Sequence, residues 1–77
     1  MIFAISAVSE SSDHYLWCEQ GTPDEVVQKI QANLFDEFAY LNSIKVVPLE
    51  DGSLSWQYAH ELKYKILEAI DTAMDDL

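Results

Sequence analysis

Arginine is absent, lysine occurs four times, cysteine once, and glycine and proline twice each among 77 residues. Each scarcity closes a route. Only Lys29, Lys45, Lys63 and Lys65 stand against 14 Asp and Glu, giving a formal net charge of −10. Bare nucleic acid and anionic membrane repel such a chain, whereas a basic protein surface attracts and steers it. With Cys18 as the only cysteine no intramolecular disulfide can form, and a small domain lacking that staple suits a reducing compartment. Two glycines, Gly21 and Gly52, cannot build a phosphate-cradling loop. The apolar stretch Met1 to Val8 has no basic flank and is too short to span a bilayer. Residue 2 is Ile and the last four residues hold no cysteine, so no lipid anchor is expected. The expected setting is the cytoplasm of a bacterium or of an infected host cell, away from membranes.

What the chain does have is apolar mass. Hydrophobic residues make up 49 % and aromatics 12 %, which separates it from disordered acidic tails. Residues 1–77 are expected to form one small acidic domain. Such a domain holds only about 3–5 kcal/mol of stability, so self-repulsion should make it salt-sensitive.

The pattern predicts β-β-α-β-α. Residues 2–9 are β-branched and small with both alternating faces apolar, as in a central strand. Glu10-Ser11-Ser12-Asp13 reads as a turn. His14 to Glu19 follows as a strand, with Tyr15, Trp17 and Glu19 on one face and His14, Leu16 and Cys18 on the other. Gly21-Thr22-Pro23-Asp24-Glu25 is a helix start: Thr22 as cap, Pro23 in the first position, Glu25 closing a capping box. Val26, Val27, Ile30, Leu34, Phe38 and Leu41 then recur at helical spacing. The first three turns are well marked, and the helix's extent beyond Leu34 is left open. Ile44 to Leu49 reads as a third strand, with Pro48 marking an edge or an end. A last helix begins near Leu54, its apolar face formed by Ala59, Leu62, Ile66, Ile70, Ala73 and Leu77, flanked by Trp56, Leu67 and Met74. An α+β fold results: a three-stranded antiparallel sheet in the order 2-1-3 with two helices packed on one face.

Catalytic arrangements find little support. His60-Glu61 begins like a metalloprotease helix motif, but Tyr64 stands where the second histidine is needed. His14 and Cys18 share a strand face yet lie about 13 Å apart along it. Cys18 is expected to be a buried small hydrophobe, and Trp17 and Trp56 to belong to the core. A calcium loop with Gly52 at its glycine position would place Val47 and Tyr58 as first and last ligands, which excludes it. Asp51-Gly52-Ser53-Leu54 is similar to the Asp-Ser-Leu attachment motif of acyl carrier proteins, but Gly52 intervenes and the first 20 residues read as strands. That family is set aside. No enzyme, cofactor or metal site is expected.

The sharpest feature is a stripe on the last helix. At 100° per residue Glu61, Glu68, Asp71 and Asp75 fall opposite the apolar face, with Tyr64 among them. A solvated helix face would look similar. Yet carboxylates crowding a helix C-terminus oppose the dipole, and tyrosine is enriched at interface hot spots. Asp36, Glu37, Glu50 and Asp51 form a secondary acidic group, and with the stripe they could imitate a row of phosphates. The expected function is therefore a small acidic inhibitor that occludes a basic, nucleic-acid-binding surface of another protein. In size and charge the chain resembles anti-restriction and anti-CRISPR inhibitors of bacteriophages and mobile elements, a resemblance of type carried by no motif. Immunity proteins and antitoxins covering basic nucleases are the neighbouring alternative. A homodimeric regulatory or structural module, associating through a sheet surface at Tyr15 and Trp17, is the competing class.

Overall fold

A computed structural model describes the backbone of residues 1–38 and 41–75; the side chains of 33–38, 41, 42, 73 and 74 lie outside the description. Strand β1 (Ile2–Ser9) is followed by β2 (His14–Gln20), helix α1 (Pro23–Phe38), β3 (Leu41–Pro48) and helix α2 (Ser53–Asp75). The sheet is antiparallel with the order β2-β1-β3, and both helices cover one side of it.

The hairpin forms because Glu10 to Asp13 are polar and the flanking runs are β-branched or aromatic. Ser9 closes it: its N–H donates to the Asp13 carbonyl at 3.0 Å, and its hydroxyl accepts from the Asp13 N–H at 3.1 Å. Ser12 takes the left-handed conformation at φ 67° to complete the turn. Pairing then runs from Val8 opposite His14 to Ile2 opposite Gln20.

At the start of α1 the Thr22 hydroxyl accepts the Glu25 N–H at 3.3 Å and donates to the Glu25 carboxylate at 3.1 Å. The expected cap is present, closed through the Thr22 side chain. Gly21 precedes it at φ +142°, a backbone state that side chains disfavour.

β1 alternates half-buried and buried residues, and its inward set Phe3, Ile5 and Ala7 meets Val26 and Ile30 of α1, Ile44 of β3, and Ala59, Leu62, Ile66 and Ile70 of α2. Tyr15, Trp17, Val46 and Tyr58 pack at the margin of that core. Burying side chains of this size stabilises by about 1.5–3 kcal/mol each.

α1, whose extent the spacing leaves open, continues to Phe38. Three expectations change. The third strand begins at Leu41 rather than Ile44. Leu41 continues the helical spacing but sits in β3 opposite Ser9, beyond a register shift between Val8 and Ser9. Cys18 is exposed, because β2 turns Tyr15, Trp17 and Glu19 toward the helices and His14, Leu16 and Cys18 away from them. Trp56 is 58 % exposed on α2 instead of lying in the core. The side chains of Leu34, Phe38, Ala73 and Met74, and Leu77 entirely, lie outside the described residues.

Candidate functional site

Helix α2 positions the candidate site by burying its opposite face. Leu62 and Ile66 are sealed against the sheet, so residues near 180° from them must face solvent. Glu61, Tyr64, Glu68, Asp71 and Asp75 are all exposed, as the spacing predicts. Tyr64 is 57 % exposed and its ring meets His60 edge-on, with centroids 4.7 Å apart and an interplanar angle of 82°. That contact orients the phenol without burying it.

Lysine distribution sharpens the charge. Lys65 donates to the Asp24 carboxylate of α1 at 2.8 Å and lies 3.8 Å from Glu61. Its ammonium is held above the usual lysine range, first by the hydrogen bond it donates to Asp24, then by the charges of Asp24, Glu61 and Glu68. The cation nearest the stripe is thus committed to the α1–α2 contact. Among the described residues no cation lies within ion-pair distance of Glu68, Asp71 or Asp75.

A row beside the stripe was not singled out from the sequence. Trp56, His60 and Tyr64 follow at four-residue steps, and Leu67, 37 % exposed, lies alongside them. The signal was present in the spacing 56-60-64, but Trp56 and Leu67 read equally well as flanks of a buried face. The face of α2 therefore joins an apolar, aromatic row to an acidic one. Interfaces are built in this way, with aromatic anchors beside a charged rim.

Glu50 and Asp51 are exposed in the β3–α2 turn. Asp36 and Glu37 belong to α1, and their side chains lie outside the described residues. Tyr15 and Trp17, the residues expected at a sheet surface, are half-buried on the helix-facing side. His14 and Cys18 sit on the opposite, outer face, and His60 stands on α2. The three are not brought together. Among the described residues no group of three or more His, Cys, Asp or Glu side chains is placed to hold a metal ion.

A cavity of about 280 Å³ opens between Met1, Gly21, Thr22, Pro23, Leu54 and Tyr58. Its lining is largely apolar and holds no cysteine, histidine or carboxylate. Among the described residues no helix is long and apolar enough to cross a membrane. No protein-family model, curated protein or solved structure matches the chain.

Proposed function

We propose that this protein is a stoichiometric inhibitor that covers a basic, nucleic-acid-binding surface of another protein. The observation that carries the reading is the face of α2, where exposed Glu68, Asp71 and Asp75 have no cation within ion-pair distance among the described residues and continue the stripe that begins at an exposed, ring-oriented Tyr64. Among the described residues none of the three carboxylates makes an ion pair within the fold. Charge on this face would speed encounter with a basic surface, and Tyr64 with Trp56 and Leu67 would supply the apolar contact that slows release. The chain itself forms and breaks no bond in this role, and no cofactor or metal takes part.

Anti-restriction and anti-CRISPR inhibitors, immunity proteins and antitoxins all fit this interface chemistry. The partner separates them: a defence nuclease or restriction enzyme in the first two cases, a toxin nuclease in the others.

The test is affinity capture from nuclease-treated lysate at low and high salt, followed by mass spectrometry. The expected result is one basic, nucleic-acid-binding protein, retained at low salt and weakened at high salt. Tyr64→Ala, and Glu68→Lys combined with Asp71→Lys, should each abolish its capture while leaving the circular dichroism spectrum unchanged. Capture that survives both folded variants would remove the α2 face as the binding surface.

A further inference from the structure

We infer that two copies of this chain associate by antiparallel pairing of their β2 strands, in a register centred on Trp17. The inference concerns the sheet edge and is independent of the acidic face of α2.

Backbone direction is the starting point. The Leu49 N–H donates to the Ile2 carbonyl, and the Ser9 N–H to the Asp13 carbonyl. Even-numbered residues of β1 therefore bond toward β3 and odd-numbered ones toward β2. Opposite them, Tyr15, Trp17 and Glu19 spend their backbone groups on β1. His14, Leu16, Cys18 and Gln20 point theirs outward. Lys29 Nζ reaches the Gln20 carbonyl from that open side at 2.8 Å, as this geometry requires.

The two edges of the sheet are unequal. β3 carries the devices that discourage strand addition. Pro48 has no N–H at an outward position, Lys45 places a charge on the strand, and the register shift beside Ser9 distorts its start. β2 has neither proline, lysine nor bulge from His14 to Cys18. Among the described residues the Lys29 contact alone guards it, at the Gln20 end. Leu16, in mid-edge, is 78 % exposed.

Charge selects a second copy as the occupant. Two chains of −10 repel wherever their carboxylates meet, but β2 carries one acidic residue, Glu19, and that side chain turns inward. The outer sheet face beside it holds Ile2, Ala4, Ser6, Val8, His14, Leu16, Cys18, Ser43, Lys45 and Val47, with no Asp or Glu. Centring the pair on Trp17 overlaps β2 over its full length. Leu16 and Cys18 of opposite copies exchange both hydrogen bonds, Trp17 meets its own counterpart, and Glu19 faces Tyr15. Centring on Leu16 instead would oppose Glu19 to Asp13 of the other copy. The six-stranded sheet that results ends on both sides in β3, so association closes at two.

A strand-to-strand contact is small, so the association is weak, and screening by salt strengthens it. Partner capture by the acidic face has the opposite salt dependence. Sedimentation velocity up to roughly half a millimolar protein should show the mass rising from 8.8 kDa toward twice that value, more so in about 0.5 M than 0.05 M NaCl. The same register makes the two Cys18 residues diagonal neighbours, with Cα atoms about 7–8 Å apart. Bismaleimidoethane should therefore cross-link the wild-type protein through Cys18, its only thiol. Leu16→Pro removes an outward N–H and no β1 hydrogen bond, so it should stay folded, sediment as a monomer and fail to cross-link. Leu16→Lys is the second variant should proline distort the strand. A wild-type protein monomeric at the highest concentration in both salts overturns the inference. So does a dimer that persists in a folded Leu16 variant, or one that Cys18 cannot cross-link.

Discussion

Replacing Asp71 with lysine is expected to stabilise this protein while weakening the proposed partner binding. Asp71 follows Glu68 by three residues and precedes Asp75 by four, so within α2 it has a like charge on either side. Each such pair opposes the helix by about 0.2–0.5 kcal/mol, and an opposite pair at the same spacing favours it by a similar amount. Charge reversal at one position turns both repulsions into attractions, a gain of about 1–2 kcal/mol at low salt. The dipole adds about 0.3–1 kcal/mol for a cation close enough to the C-terminal end, where α2 has no basic residue of its own in the last turn. Against a total of about 3–5 kcal/mol, such a change is large. Urea titration at a single low micromolar concentration measures it. With a slope near 1 kcal/mol/M, the midpoint should rise by about 1–2 M in low salt. In about 1 M NaCl the Debye length falls to about 3 Å and most of the gain should vanish. An unchanged or lower midpoint at low salt refutes the reasoning, and so does a gain that salt leaves intact.

Leu62 is fully buried, and Leu62→Ala should cost about 2–5 kcal/mol, enough to unfold much of the population, whereas Ile66→Val should cost about 0.5–1.5. Urea midpoints ranked in that order would support the core; equal midpoints would not. Ser12→Gly should raise stability by about 0.5–1 kcal/mol, because only the serine side chain opposes the left-handed turn at φ 67°. Lys65 has its pKa raised in the folded state, so its pairing stabilises below the usual lysine pKa and is lost as pH climbs through the raised value. Thermal melts of wild type and Lys65→Gln should therefore differ at pH 7–9, and the difference should shrink only as the pH climbs past the ordinary lysine value of about 10.4.

Much of this architecture was legible because local chemistry and tertiary packing agree. Thr22, Pro23 and Glu25 specify a helix start whatever surrounds them, and the cap forms as their spacing predicts. The apolar faces of β1, the polar turn after it and the β-rich run of β2 pointed to the hairpin and to the central position of β1, and from these the sheet order followed. The boundary between α1 and β3 was not legible. Leu34, Phe38 and Leu41 keep a helical period across it, and only pairing with β1, through the irregularity at Ser9, makes Leu41 part of a strand. Cys18 was misplaced for a related reason. Both faces of β1 are apolar, so β1 does not say which side the helices will choose. They chose the side of Phe3 and Ile5, and Cys18 lies on the other. The exposure of Glu61, Tyr64, Glu68, Asp71 and Asp75 was readable from helix geometry alone. The neighbouring Trp56–His60 row was not, since an aromatic flank becomes core or surface according to how the helix rolls on its sheet.

The separation of charge between the two sides of the sheet has a consequence at long range. Asp24 and Glu25 of α1 and Glu61, Glu68, Asp71 and Asp75 of α2 outnumber Lys29, Lys63 and Lys65 on the helix side, while the outer sheet face carries Lys45 and no acid. The molecule is therefore an electric dipole with its axis across the sheet, in addition to bearing a net negative charge. In the field of a basic surface such a body experiences torque as well as attraction, and it turns while it is still diffusing. It should arrive with α2 leading and the sheet trailing. The first collision would then be oriented, before any side chain has touched its target.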